Sequence, residues 1–402
     1  MPGSSDAAPP AAHSAAASAA AAASLFAASY SPELYQALSD DTLRVEAYRK
    51  AIAARVKGLR VLDVGTGPVA LLAVLAARAG AAKVTAVEVS PAVAASARAT
   101  VEREGLSDVV QVLEGFSTQL ELPEVDIVIH ELIGDIATEE GLPLVLADLR
   151  TRQPPLLDTA APGWVIPRRA LTWVAPVNLH LPLPISGRGK AGPPEVRLPM
   201  ALPRETLLGE RQVLEDCNAE ASVLLQETRT LYWKASASGT LTGFVCAPRI
   251  EMDDEVVLDA WDERTHWRHV VVLLPQPALV DPGDEIRLEI SMDLRSFPSD
   301  YRFAAAVRRS GALGAEARDA AAFVDIGASM IRLDLPDDPK AKRRSAVKVR
   351  PAAAAPVRKK PSAGGGAPVV KARPALAPGK RSRSEGGGVG ARAVKRPARR
   401  GL

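Results

Sequence analysis

A chain of 402 residues has room for two folded domains and tails, and its net charge of +3 hides an asymmetry: residues 340–402 hold 19 Lys/Arg and one acid (+18), leaving −15 on the rest. An acidic body with a basic tail suits an enzyme acting on basic protein, with an arm able to touch nucleic acid. Two unpatterned cysteines (Cys217, Cys246), no apolar run of membrane-spanning length and no basic-then-apolar start argue against a disulfide framework, a zinc site, a membrane span and a secretory signal, and favour a reducing compartment.

Residues 1–24 are Ala/Ser/Pro low complexity and read as a disordered leader. They hold no Lys or Arg, which argues against a mitochondrial transit peptide. From Ser24 to Val56 the pattern is helical. Ser39-Asp40-Asp41 can cap a helix, with Leu43, Tyr48 and Ile52 on one face. Arg44 falls one turn after the cap, near the positive helix end. It is either a solvated arginine or one that faces an anion.

Val61, Leu62 and Val64 form a strand that runs into Gly65-Thr66-Gly67, with Asp63 beside the turn. A strand ending in Gly-x-Gly before a helix lets a ligand approach the backbone and meet the helix N-terminus. Ala70 stands where a third glycine would complete the dinucleotide pattern. Asp63 suits an amino or hydroxyl donor rather than phosphate. A helix over 69–79 follows, then the strand KVTAVEVS with Glu88 at its end, 21 residues after Gly67. An acid there can accept from ribose hydroxyls, or cap the helix that starts at Ser90-Pro91. DVVQVLEG and ELPEVDIVIHE supply two more strands. Strands alternating with helices give an open parallel sheet, with ligands at the strands' carboxyl ends.

Glu131 stands at such an end, and Glu140 follows nine residues on with Glu139 beside it. Two carboxylates brought together can grip a guanidinium through bidentate, charge-assisted bonds. Thr138-Glu139-Glu140 can equally be the capped first turn of a helix over 139–150.

In that order these motifs resemble one family, the S-adenosylmethionine-dependent protein arginine methyltransferases, over roughly residues 25–335. The matching stretches are VLDVGTG, AVEVS, the double-glutamate loop Glu131-Leu132-Ile133-Gly134 with Glu140, the Thr265-His266-Trp267 loop, and Asp41, Arg44 and Tyr48 at i, i+3 and i+7. The resemblance implies a fold: a Rossmann-like cofactor domain over 25–165, a β-barrel substrate domain over 166–336 and a basic tail from 337. It implies a cofactor set of Arg44 on the carboxylate, Asp63, Gly65, Gly67, Glu88 and Thr118, with S-adenosyl-L-methionine bound and no metal. It also implies that Glu131 and Glu140 hold the acceptor, that His266 takes the released proton directly or through an acid partner, and that Trp267 walls the substrate slot. Otherwise His266 is a surface-loop histidine.

The departures are specific. Pro68-Val69 replaces a further glycine, Leu132 stands where the family commonly has tryptophan, and Tyr35 and Leu38 stand where many members carry His and Met. Residues 178–203 occupy the place of the family's helical dimerisation arm and are too proline-rich for it, so a homodimer through that arm is not evident. Downstream, TLTGFVCAPRIEM, HVVVLL and EIRLEISMDL read as strands, broken by prolines at 182–184, 193–194 and 275–282. The tail reads as a disordered nuclear-import or nucleic-acid patch, placing the protein in nucleus and/or cytoplasm. The leading expectation is arginine N-methylation of basic proteins such as histones or RNA-binding proteins. The alternatives are a methyltransferase with another acceptor, or a catalytically weak chromatin- or RNA-associated scaffold.

Overall fold

The computed structural model describes Tyr35 and residues 38–179, 195–199, 201–310 and 323–332. The leader, the basic tail and the prolines at 182–184 and 193–194 lie outside the described residues.

Helix α1 (Thr42–Arg55) starts at Asp41, whose carboxylate accepts the Arg44 N–H at 3.0 Å. Its buried face is Arg44, Ala47, Tyr48, Ala51 and Ile52. Leu43, expected on that face, is 45% exposed. At 3.6 residues per turn it lies about 140° from Tyr48.

Strands β1 (Arg60–Val64), β2 (Lys83–Glu88), β3 (Val110–Glu114), β4 (Ile127–His130) and β5 (Val165–Ile166) form a parallel sheet in the order β3-β2-β1-β4-β5. Helices α2 (Leu71–Arg78), α3 (Pro91–Arg103) and α4 (Leu142–Thr151) connect them. Strands buried on both faces read as continuous apolar runs, as Val61-Leu62 and Ile127–Ile129 do. The register sets Val64 beside both Val87 and His130. Gly65, Glu88 and Glu131 therefore leave the sheet along one edge, on either side of the point where the strand order reverses. Ligands of such sheets bind there. A groove of about 1000 Å³ opens at the opposite, amino end, lined among others by Arg60, Asp126 and Trp164. That end is the wrong one for a cofactor.

From Arg169 the pairing is antiparallel. Strands β6 (Arg169–Val177), β7 (Glu195–Leu198), β8 (Gln212–Asn218), β10 (Gly239–Glu251) and β12 (His269–Val280) make a sheet ordered β7-β12-β10-β6-β8, with β11 (Val257–Asp259) on β10. A second sheet is ordered β15-β14-β13-β9, from β9 (Gln226–Lys234), β13 (Glu285–Asp293), β14 (Asp300–Arg308) and β15 (Val324–Arg332). Alternation along β13 sends Ile286, Leu288, Ile290 and Met292 into the core they share with Phe244, Val272 and Phe303. The two sheets close over this core as the barrel half. One expectation changes here. Strand β12 continues through Pro275 and Pro277, where its side chains are exposed and the register with β10 slips between Leu241 and Gly243. The described part of the proline-rich 178–203 segment includes strand β7, paired to β12.

Candidate active site

The cofactor edge is built mainly from backbone. Gly65 (φ 78°) and Gly67 (φ 67°) take the left-handed conformation that glycine adopts freely. A side chain on Gly65 would meet Leu132 at 2.8 Å, so Leu132 packs over the turn. The carboxylate of Glu88 accepts from the N–H groups of Gly67 (3.1 Å) and Ser90 (3.0 Å). Burial raises its pKa above the usual carboxylate value. Two members of the expected cofactor set are placed differently. Asp63 is fully buried, and the hydroxyl donor it finds is internal: Thr66 Oγ1 at 2.6 Å. Burial lifts its pKa to about 7. Thr118 sits exposed on the turn after β3.

Arg44 is not the solvated arginine that was one reading. It is 4% exposed, with Nη1 3.4 Å from Glu131 Oε2 and Nη2 donating to the Leu38 carbonyl at 2.5 Å. Its Nε is buried with no acceptor among the described residues. One turn on, the Tyr48 hydroxyl donates to the His130 carbonyl at 3.0 Å and pins α1 to the end of β4, directly before Glu131.

Asp41 and His266 meet across 225 residues of sequence. Asp41 Oδ2 accepts the His266 backbone N–H at 2.7 Å and lies 2.9 Å from ring Nδ1. A carboxylate can only accept, so Nδ1 carries a proton, and Nε2 lies 4.0 Å from Glu131 Oε1. Burial alone would raise the pKa of Asp41, but its bonds from His266 and Arg44 hold it below the usual value. Trp267 is not a slot wall. It is 4% exposed, its indole N–H donates to the Ile133 carbonyl at 2.7 Å, and its ring lies 4.1 Å from that of His266. It anchors the double-glutamate loop.

That loop is no helix start, because α4 begins only at Leu142. Thr138 instead gives its hydroxyl to a buried cluster, 2.5 Å from Glu215 Oε2 and 2.7 Å from the Tyr301 hydroxyl. Glu215 also accepts from Thr138 N–H (3.1 Å) and Thr172 Oγ1 (2.6 Å). Ile133 and Ala137 pack in the sheet core and Ile136 in the barrel core, so the loop is sewn between them. Glu139 is consumed by Arg197, with two bonds of 2.8 Å. Glu140 has no cation of its own among the described residues. Burial, then the charges of Glu131, Glu139 and Asp135, push its pKa well above the usual value. Burial likewise raises Glu131, against the pull of Arg44 and His266.

Sequence reasoning missed Asp41 as the partner of His266, along with Asp135, Arg197 and Glu215. Only Asp41 left a signal, its place one turn before Arg44.

The edge fits the cofactor on this chain's own atoms. The buried Nε of Arg44 lacks an acceptor, as a carboxylate would supply. Glu88 stands at the strand end beside the glycine turn, where ribose hydroxyls are held.

Residues 61–151 match a family model described as a methyltransferase domain. Over 145 residues the chain is 37% identical to protein arginine N-methyltransferase PRMT10 of Arabidopsis thaliana, covering 35% of this chain and only 36% of that relative. Over 279 residues it is 28% identical to an arginine N(omega)-methyltransferase of Streptomyces achromogenes subsp. streptozoticus, covering 64% of this chain and 76% of that protein. Among solved structures, the Trypanosoma brucei PRMT1 enzyme–prozyme heterotetrameric complex with AdoHcy superposes with a TM-score of 0.61 at 22% identity, over 75% of this chain and 98% of that one. Arabidopsis thaliana protein arginine methyltransferase 10 gives 0.58 at 20% identity, over 77% and 100%. These structures share the fold: a Rossmann-like sheet followed by a barrel. Residues 61–151 thus carry a methyltransferase domain, and in motif order, fold and relatives the chain is similar to the protein arginine N-methyltransferases.

Proposed function

We propose that this protein transfers a methyl group from S-adenosyl-L-methionine to a guanidinium nitrogen of arginine in basic proteins. The observation that carries the reading is the loop. Glu131 and Glu140 lie partly buried on the loop that leaves the carboxyl edge of the sheet, while their neighbour Glu139 is already paired.

Bound at the glycine turn, the cofactor supplies a methyl group on a positively charged sulfur. Arg44, Gly65, Gly67 and Glu88 would hold it. Glu131 and Glu140 bind the guanidinium in a fork and draw charge density onto the attacking nitrogen. Both must be ionised to do so, and both have raised pKa values. Activity therefore rises with pH through a limb above the usual carboxylate range. His266, oriented by Asp41, presents Nε2 toward Glu131 and takes the released proton through it. The assembly of Asp41, Arg44, Glu131 and His266 in one place favours an enzyme over a scaffold.

A second acceptor, free arginine, is favoured by one observation. The relative that aligns over 279 residues is named an arginine N(omega)-methyltransferase. Labelled-methyl transfer to histones, to a glycine/arginine-rich peptide and to free L-arginine, with mass analysis of the product, separates the two. No label on any of the three would sink both. We also read the basic tail as a nuclear-import or nucleic-acid-contacting segment. Loss of nuclear signal on deleting 340–402 tests import, and unchanged salt-dependent RNA retention would exclude contact.

A further inference from the structure

Glu139 and Glu140 are adjacent and chemically identical, yet only one is left for a guanidinium. The difference comes from one arginine outside the loop. Arg197 on β7 donates to both oxygens of Glu139, at 2.8 Å each. The same group reaches Asp135 Oδ2 at 2.9 Å, and its Nε reaches Glu195 Oε1 at 2.8 Å. Asp135 in turn accepts from the backbone N–H (2.7 Å) and Nε (2.9 Å) of Arg268, the residue that follows Trp267. The network thus joins the middle of the double-glutamate loop to the chain that carries His266. Its centre is dry, with Arg197 13%, Asp135 8% and Glu139 3% exposed.

We propose that Arg197 is a positioning residue for the transfer: by occupying Glu139 and Asp135 it locks the loop so that Glu140, and not Glu139, joins Glu131 at the acceptor. This rests on reading the loop as the guanidinium grip. The internal arginine satisfies Glu139 with the same fork that a substrate arginine would offer. Without it, Glu139 becomes a competing, misplaced acceptor of that fork. The charges that act on Glu140 are Glu131, Glu139 and Asp135 of its own loop and Arg197 of β7. The three acids favour its protonated form and Arg197 opposes them. Removing Arg197 therefore loosens the loop and raises the pH needed to ionise Glu140.

The test uses the full chain with Arg197→Met and Arg197→Lys. The readouts are the pH profile of kcat/KM on an arginine peptide and hydrogen exchange across residues 131–141. For Arg197→Met, kcat/KM is expected to fall about tenfold or more, since small misplacements at a reacting centre have effects of this size. Its acid limb should move to higher pH, and the loop should exchange faster. Arg197→Lys keeps the charge but not the fork. It should leave the limb in place and still lower kcat/KM. Wild-type limb and exchange in a folded Arg197→Met overturn the proposal. If that variant does not fold, wild-type kcat/KM and exchange in Arg197→Lys overturn it instead. Glu140→Gln in the otherwise native chain separates the two ideas. Retained activity there refutes the grip reading, while the exchange measurement still decides whether Arg197 locks the loop.

Discussion

The two halves of the site are made of different material. The cofactor edge is mostly backbone: two left-handed glycines, the N–H groups of Gly67 and Ser90, and one acid at a strand end. The acceptor loop is mostly side chain: Thr138 on Glu215 and Tyr301, Trp267 on Ile133, Asp41 on His266, Arg197 on Glu139. A backbone site tolerates changes among its side chains. A site of buried charges does not, because losing one partner strands the other. Substitutions should therefore separate the halves by size and by kind of effect.

The largest effect should come from Glu140→Gln. The amide keeps the shape and removes the charge proposed to grip the guanidinium. Removing one such electrostatic group typically slows catalysis about 10²–10³-fold. Transfer should fall by that much or more, with cofactor affinity by calorimetry staying within several-fold. Near-normal turnover would show that the acceptor half lies elsewhere.

Next is a stability effect inside the cofactor edge that its backbone construction does not soften. Asp63 is buried with a pKa of about 7 against an ordinary 3.8. Its folded state binds the proton more tightly, so this contribution is fully present below 3.8 and is lost as pH rises through about 7. At 1.36 kcal/mol per unit the total is on the order of 4 kcal/mol. Asp63→Asn removes the titration and can still accept from Thr66. It should melt higher than wild type at pH 8 and close to it near pH 4 (about one unit or more from the folded pKa on either side). Parallel melting curves for the two proteins across that range contradict the assignment.

Glu88→Ala should be milder. It would delete the hydrogen bonds proposed to ribose hydroxyls, about 1–3 kcal/mol when one partner is charged. Cofactor binding should weaken by about ten- to a hundredfold, and the melting temperature should fall as well, because the N–H groups of Gly67 and Ser90 lose their acceptor. Unchanged affinity would remove Glu88 from the site.

How legible each half was in the sequence follows the same division. The strand, the glycine turn and the strand-end acid lie within some thirty residues, and each has a local physical signature. For the acceptor half the sequence singles out residues, Glu131, Glu140 and His266, but not their arrangement. Arg197 lies 62 residues from Asp135 and Tyr301 lies 163 from Thr138, and no periodicity links them. The same limit put Trp267 on a slot wall, since its spacing beside His266 says nothing about the Ile133 carbonyl it holds. The prolines at 275–282 read as a break between strands, yet Pro275 and Pro277 lie within β12. They are tolerated where β12 is exposed and out of register.

The smallest effect tests the comparison most finely. Ala70 sits where the third glycine of the turn would fall and has φ 46°, left-handed for a residue with a Cβ. That conformation costs an L-residue about 1–2 kcal/mol. Ala70→Gly relieves it. Against this stand the greater freedom of glycine in the unfolded chain, about 0.5–1 kcal/mol, and the loss of one fully buried methyl group, about 0.8 kcal/mol. The terms nearly cancel, so the melting temperature should hardly move. The backbone path is already fixed by Ala70 N–H on the Gly67 carbonyl and Val74 N–H on the Ala70 carbonyl, both of which glycine keeps. Cofactor affinity should therefore also stay within about threefold, well under the 1.4 kcal/mol that makes a factor of ten. A tenfold tightening would mean that the alanine holds the turn away from its bound shape. The cofactor edge would then depend on a side chain after all.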